Sequence, residues 1–325
     1  MNIQSAPDTL ICAICGNQQN NRSHVAREMM FGLRDEFIYL ECGFCACVQL
    51  VDPPTDMSKY YPKNYYSFAP SGGLKGAVKR RWAAQAHGSR SLSGWLALQL
   101  LGPYYAMTAI RRARIPRQAR VLDVGCGAGH LILDMSQCGY QYVTGMDPYV
   151  ADDIHYGGGV AVLKRTLQQM TGEFDVIMLN HSFEHMAEPV EALKEVRRLL
   201  SREGRILIRI PIVGSFAWRR YGVNWMHLDA PRHLFLHSPV SMRLLAEQCG
   251  LRVTELTYEG NTSQFIGSEQ YEKNIPLADP RSVYSGGSRR WVAWWRARHL
   301  QSRAEELNRT AQGDWGCFEL QADDT

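Results

Sequence analysis

The stretch Val121-Leu-Asp-Val-Gly-Cys-Gly-Ala-Gly129 constrains this chain more than any other. A short apolar run closes on Asp123, turns through Gly125, Gly127 and Gly129, and opens into a helical pattern over residues 131–138. That order is a strand, a tight turn and a helix N-terminus. Glycines spaced in this way let the backbone bend sharply and lie close against a ligand. A second apolar run, residues 142–146, ends at Asp147. In doubly wound folds an acid about 20 residues beyond such a turn takes ribose hydroxyls. A nicotinamide-type dinucleotide site and a glycine turn without a ligand remain open beside a nucleoside site.

From residue 119 onward, apolar runs suited to strands alternate with helical patterns. Strands are expected at 120–124, 142–146, 160–163, 174–180, 205–210 and 251–258, with helices over 190–200 and 240–249 among them. Ser238-Pro239 supplies an N-cap followed by proline at the first helical position, and Gly250 ends that helix. Such alternation specifies a mostly parallel sheet with helices on both faces. The glycine motif and its two acids resemble the first motif of the class I S-adenosylmethionine (SAM) methyltransferases. The resemblance implies an α/β, Rossmann-like core with a seven-stranded, mostly parallel sheet, and SAM as cofactor. It further implies that Gly125, Gly127 and Gly129 line the methionine part and that Asp123 orients its amino end. Asp147 would take both ribose hydroxyls, with the adenine near residues 166–168.

The first 52 residues are a different kind of unit. Cys12-x-x-Cys15 and Cys42-x-x-Cys45 flank a strand-like run at 37–40. Two such knuckles can set four thiolates around a structural Zn2+, which leaves no open position for catalysis. Cys47 is a spare thiol able to replace one of the four. Nine cysteines without an export pattern over the first ten residues fit a reducing, cytoplasmic compartment. The chain therefore divides into a zinc ribbon (1–52), a basic linker and helical cap (53–118), the SAM-dependent core (119–278), and a Trp/Arg-rich C-terminal helix and tail (279–325).

Net charge is only +4, but between Asp56 and Asp123 twelve Lys or Arg occur and no acid. That bias suits an anionic neighbour, whether a sugar nucleotide, a nucleic acid or a lipid surface, and equally a solvated basic face. Helices are expected over 74–86 and 92–110. The second carries no charge, yet Gly102-Pro103 and its polar positions argue against a membrane span. A cap over the cofactor cleft, or peripheral contact with a membrane, is left for it. Residues 289–308, with Trp291, Trp294 and Trp295, form a helix that docks on the core or meets lipid or a partner.

Two segments carry candidate acid–base groups. The fourth core strand runs into Asn180-His-Ser-Phe-Glu-His185, and residues just past strand C-termini face the reacting groups in such folds. His185 is there a general base or a structural hydrogen-bonding group. The stretch Trp225–Ser238 then holds three histidines, with His233 as base or acid over the acceptor and Arg232 binding an anion. A buried structural histidine pair, or a metal held by His227, Asp229 and His233, are the other readings. Ribbon, Tyr60-Tyr-Pro-Lys-Asn-Tyr-Tyr66, core and the Pro231-Arg-His-Leu234 loop together resemble methyltransferases of bacterial surface-polysaccharide and deoxysugar pathways. More distantly they resemble the zinc-ribbon deoxysugar C-methyltransferases, whose loop carries a Glu-His pair aided by an earlier tyrosine. Here His233 matches the histidine, Tyr65 or Tyr66 the tyrosine, and Arg232 replaces the glutamate, which favours a hydroxyl acceptor. The expected activity is O-methylation of a negatively charged sugar-nucleotide or glycan intermediate. An RNA methyltransferase using ribbon and basic segment, and a non-catalytic SAM-binding protein, are the alternatives.

Overall fold

The computed structural model describes residues 10–62, 73–89, 91–285 and 290–323, without the side chains of 73–77, 80, 100, 101, 290–295 and 297. The expected docking of Trp291, Trp294 and Trp295 therefore lies outside what is described. The chain opens with three short antiparallel strands, β1 (Arg22–Arg27), β2 (Glu36–Glu41) and β3 (Val48–Leu50). Helices α1 (Gly73–Ala86), α2 (Leu92–Leu101) and α3 (Tyr105–Arg112) follow. The expected single helix over 92–110 is thus two, because Gly102 takes a positive φ of 79° ahead of Pro103, whose ring cannot continue a helix.

The alternating part contains β4 (Arg120–Val124), α4 (His130–Gln137), β5 (Tyr142–Met146), β6 (Ile154–Gly157), β7 (Val160–Leu163) and β8 (Phe174–Asn180). It continues through α5 (Pro189–Leu199), β9 (Leu200–Pro211), α6 (Phe216–Tyr221), β10 (Phe235–Leu236), α7 (Pro239–Gln248), β11 (Leu251–Glu259) and α8 (Ser263–Glu272). Last come α9 (Arg290–Arg309) and β12 (Trp315–Ala322). The large sheet has the order β11-β12-β9-β8-β4-β5-β7-β6. Strands β9, β8, β4, β5 and β7 run parallel, while β12 lies antiparallel between β9 and β11.

Two features differ from the sequence expectation. The sheet has eight strands rather than seven, since β6 folds back on β7 through Gly157, Gly158 and Gly159, all at positive φ. And the core does not end at residue 278: β12, from the segment read as a tail, is an interior strand of the sheet. Its inward residues Phe318 and Leu320 are fully buried.

Alternate residues of each strand feed opposite faces. Val121 packs with α3 and α4 on one side, Leu122 with the other core. Ile206, Ile208 and Ile210 join α5, α7 and the N-terminal unit. That unit shares its core with the sheet, because Cys12, Ile14, Tyr39 and Val48 belong to the same cluster. Strand β10 also pairs with β3, so a core loop supplies the fourth strand of the N-terminal sheet.

The α1–α3 region latches onto α4. Trp82 stacks on Tyr104 with centroids 4.5 Å apart, and the Tyr104 hydroxyl donates to Asp134 at 2.7 Å. Among the described residues, no helix is long and apolar enough to cross a membrane.

Candidate functional site

Strand order reverses between β4 and β8: from β4 the chain moves outward through β5 and β7, then returns to β8 on the other side. Ligands of open α/β sheets bind outside the strand C-termini at such a switch point. Gly125, Gly127 and Gly129 turn there at φ values of 70°, 54° and 72°, a left-handed region costly for other residues. A Cβ at Gly125 would fall 2.6 Å from the Ser182 Cβ, so the ends of β4 and β8 touch. Asp123 is buried and its Oδ1 makes no hydrogen bond. Burial, and secondly the charge of Asp147, push its pKa up to about 7. Asp147 accepts from the Gly127 and Tyr149 backbone N–H groups, both at 2.9 Å.

Past β8, His181 sits at a positive φ of 55°. Glu184 is fully buried, and neither of its oxygens makes a hydrogen bond. Its nearest titratable neighbours are His181 Nδ1 at 3.5 Å and His233 Nε2 at 3.9 Å. Burial works to raise its pKa, but His181, His185 and His233 outweigh that and hold it at about 2. His233 is lowered to about 4, first by burial and then by His185, so it is neutral at neutral pH. Its Nδ1 lies 2.8 Å from the His227 carbonyl, which places the hydrogen on Nδ1 and leaves the Nε2 lone pair free. His185 Nδ1 faces the Arg232 carbonyl at 2.8 Å and the Tyr61 hydroxyl at 3.3 Å. The rings of His185 and His233 meet edge-on, 4.8 Å apart.

Across the same end of the sheet, His227 Nδ1 lies 2.7 Å from Oδ2 of the fully buried Asp314, which also accepts from Trp225 Nε1 at 3.1 Å. His227 Nε2 is 3.2 Å from Ser263 Oγ. The Trp315 ring packs between His227 and His181, with centroids 5.2 and 4.8 Å away.

The family described as "Methyltransferase domain" matches residues 99–256. A ubiquinone biosynthesis O-methyltransferase of Pseudomonas aeruginosa is 33% identical over 186 residues, covering 50% of this chain and 79% of that protein. The chain belongs to the methyltransferase family. A tRNA U34 carboxymethyltransferase of Aeromonas salmonicida is 25% identical over 190 residues, 51% of this chain and 57% of that one. A solved coclaurine N-methyltransferase is 16% identical with a TM-score of 0.44, over 83% of each chain.

The methyltransferase brings together some of the residues singled out in its sequence and separates others. His185 and His233 are neighbours, joined by Glu184. Tyr65 and Tyr66 lie outside the described residues, whereas Tyr61 touches His185. Arg232 is not available to an anion. Its guanidinium is fully buried between Asp229 at 2.9 Å and Glu28 at 3.2 Å, over the Phe31 ring. His227, Asp229 and His233 do not form a ligand set, since His227 turns to Asp314 and Asp229 to Arg232. Residues 166–168 enter a 3-10 turn, Leu167–Gln169, capped by Thr166 after β7. Of the basic segment, Arg114, Arg117 and Arg120 fall at the amino end of β4, the far end from the glycine turn.

Asp314, Trp315 and Ser263 are the site residues the sequence did not reveal. No motif surrounds them; only the apolar–polar alternation of Phe318-Glu-Leu-Gln-Ala322 marks that stretch as a strand.

In the N-terminal unit, the thiols of Cys12, Cys15, Cys42 and Cys45 all lie within 4.8 Å of one another. Cys12 and Cys45 are 3.6 Å apart, Cys15 and Cys42 3.5 Å. A disulfide needs about 2.0 Å, whereas tetrahedral Zn2+ with bonds of about 2.3 Å sets sulfurs about 3.8 Å apart. Backbone N–H groups of Phe44 and Cys45 point at Cys42 Sγ, both at 3.4 Å. The donor set fits zinc. Cys47 is buried in the core and stands outside the group.

Proposed function

We propose that this SAM-dependent methyltransferase methylates a hydroxyl of a sugar-nucleotide or glycan intermediate, with a structural Zn2+ held by Cys12, Cys15, Cys42 and Cys45. The observation that carries the cofactor site is the unpartnered, buried Asp123 oxygen at the glycine turn. A carboxylate so placed suits the ammonium group of the methionine part, while Asp147 retains lone pairs for the ribose hydroxyls. SAM held there would supply a methyl group on a good leaving sulfur, so that transfer would form the O–CH3 bond, break the S–CH3 bond and release the hydroxyl proton. Positioning then supplies much of the rate, and what is left for the protein is to accept that proton.

His233 suits that role. It is neutral, its Nδ1–H is fixed on a carbonyl, and its Nε2 is free. His185 orients it from the side, with Tyr61 against His185. The hydroxyl acceptor is supported by the O-methyltransferase relative, and the sugar class by the combined resemblance of ribbon, core and loop. The acceptor's phosphate, if present, is not met by Arg232.

Nucleotide sugars incubated with SAM and the full chain should gain the mass of one CH2 in at least one case. His233→Ala should abolish that gain while leaving SAM affinity near wild type. Label from methyl-tritiated SAM appearing in total RNA, with every nucleotide sugar and glycan unchanged, would overturn the proposal in favour of the chemistry of the tRNA-modifying relative.

A further inference from the structure

We propose that Glu184, His185 and His233 form a binding site for a divalent first-row transition ion, separate from the four-cysteine cluster. One ligand atom from each of the three lies within 4.8 Å of the others. The second, independent observation is Glu184 itself: it is fully buried, with both oxygens lacking a hydrogen bond. A carboxylate buried in that state is costly unless a cation compensates it. The histidines are also posed as ligands. The Nδ1 of each is occupied by a main-chain carbonyl, that of Arg232 for His185 and that of His227 for His233, both at 2.8 Å. Metal-binding histidines commonly have one ring nitrogen held in this way, which fixes the ring and directs the other nitrogen to the ion.

The frame is rigid enough to present three donors together. Glu184 and His185 share the short turn after β8, and His233 lies on the loop leading into β10. The two segments are tied by Leu234 N–H donating to the Glu184 carbonyl at 2.8 Å, and the Tyr39 hydroxyl donates to the His233 carbonyl at 2.9 Å. Asp229 Oδ2, 3.9 Å from His233 Nε2, is engaged by Arg232 and so is not a fourth protein ligand. Two imidazoles and one carboxylate suit Zn2+, Fe2+ or Co2+ and leave coordination positions open. Resting on the function proposed above, an ion here would lower the pKa of the acceptor hydroxyl so that its proton passes to solvent water, with His233 Nε2 serving as ligand in place of its role as proton acceptor.

Cobalt titration of the full, zinc-loaded chain tests this. One further Co2+ should bind per chain, showing weak ligand-field absorption without the intense sulfur-to-metal band of a thiolate site. Glu184→Gln and His233→Ala should each weaken it by about tenfold or more, and His185→Ala likewise. Absence of any cobalt outside the cysteines, or binding left unchanged by both the near-isosteric Glu184→Gln and His233→Ala, would overturn the site. SAM binding measured on the same samples separates the two proposals: SAM bound without the extra ion removes this inference alone, while no SAM binding removes the function on which it rests.

Discussion

Asp123 is a carboxylic acid poised at the middle of the physiological range. With its pKa pushed up to about 7 by burial and by Asp147, the free protein holds a proton there at mildly acidic pH. An ammonium group beside it favours the ionised form, so binding SAM expels that proton below pH 7. Linkage then requires SAM affinity to rise as pH climbs toward 7 and to level off above it. Calorimetry across this range should show the trend in the wild type and a flat profile in Asp123→Asn. A wild-type affinity independent of pH would remove Asp123 from the cofactor site.

At the scale of single elements, α7 shows how local chemistry fixes a distant contact. The Ser238 hydroxyl accepts from the Val240 and Ser241 N–H groups at 3.1 and 3.0 Å, a cap of about 1 kcal/mol. The same hydroxyl donates to the Cys45 carbonyl at 2.5 Å, tying the helix to the cysteine unit. Beside it, His237 is fully buried, parallel to Phe183 and Phe235 at 5.4 and 6.1 Å. Burial lowers its pKa from 6.5 to about 4. A lowered folded pKa means the unfolded chain binds the proton more tightly in that window, so stability should fall as pH drops from about 6.5 to about 4. Denaturant melts at successive pH values should record the loss, and His237→Phe should reduce it; an unchanged slope in that variant would refute the assignment.

Elements like this are legible in the sequence because their signals are local. The N-cap and proline opening α7, the glycine turn, and the strands β4, β5, β7 and β8 follow from periodicity and turn chemistry within a few residues. Asp314 is not legible, since what makes it matter is a strand pairing that joins residues 315–322 to strands formed from 200–211 and 251–259. Arg232 misleads for a related reason: its partner Glu28 lies 204 positions away, and only the fold reveals that the guanidinium is already engaged by it.

Across the whole molecule, the cysteine unit and the catalytic core are one body, joined through β10, the shared core and the Ser238 tether. Loss of the zinc proposed for the four cysteines should therefore be felt at the His233 loop. Chelation, or Cys12→Ser, should raise amide exchange over residues 22–50 and also over 231–238, while 120–163 stay protected. Exchange confined to the first 50 residues would show that the two parts are not coupled.

The position of β12 makes the sheet depend on residues far along the chain. Strands β9 and β11 do not pair with each other; β12 lies between them and pairs with both, so the interior of the sheet is completed by the strand latest in chain order. Without residues 314–322 the fold would leave β9 and β11 without their shared partner, and His227 without the carboxylate 2.7 Å from its Nδ1. The cluster of His181, His227 and Trp315 at the end of the sheet is thus closed by residues that sit beyond every other strand in sequence.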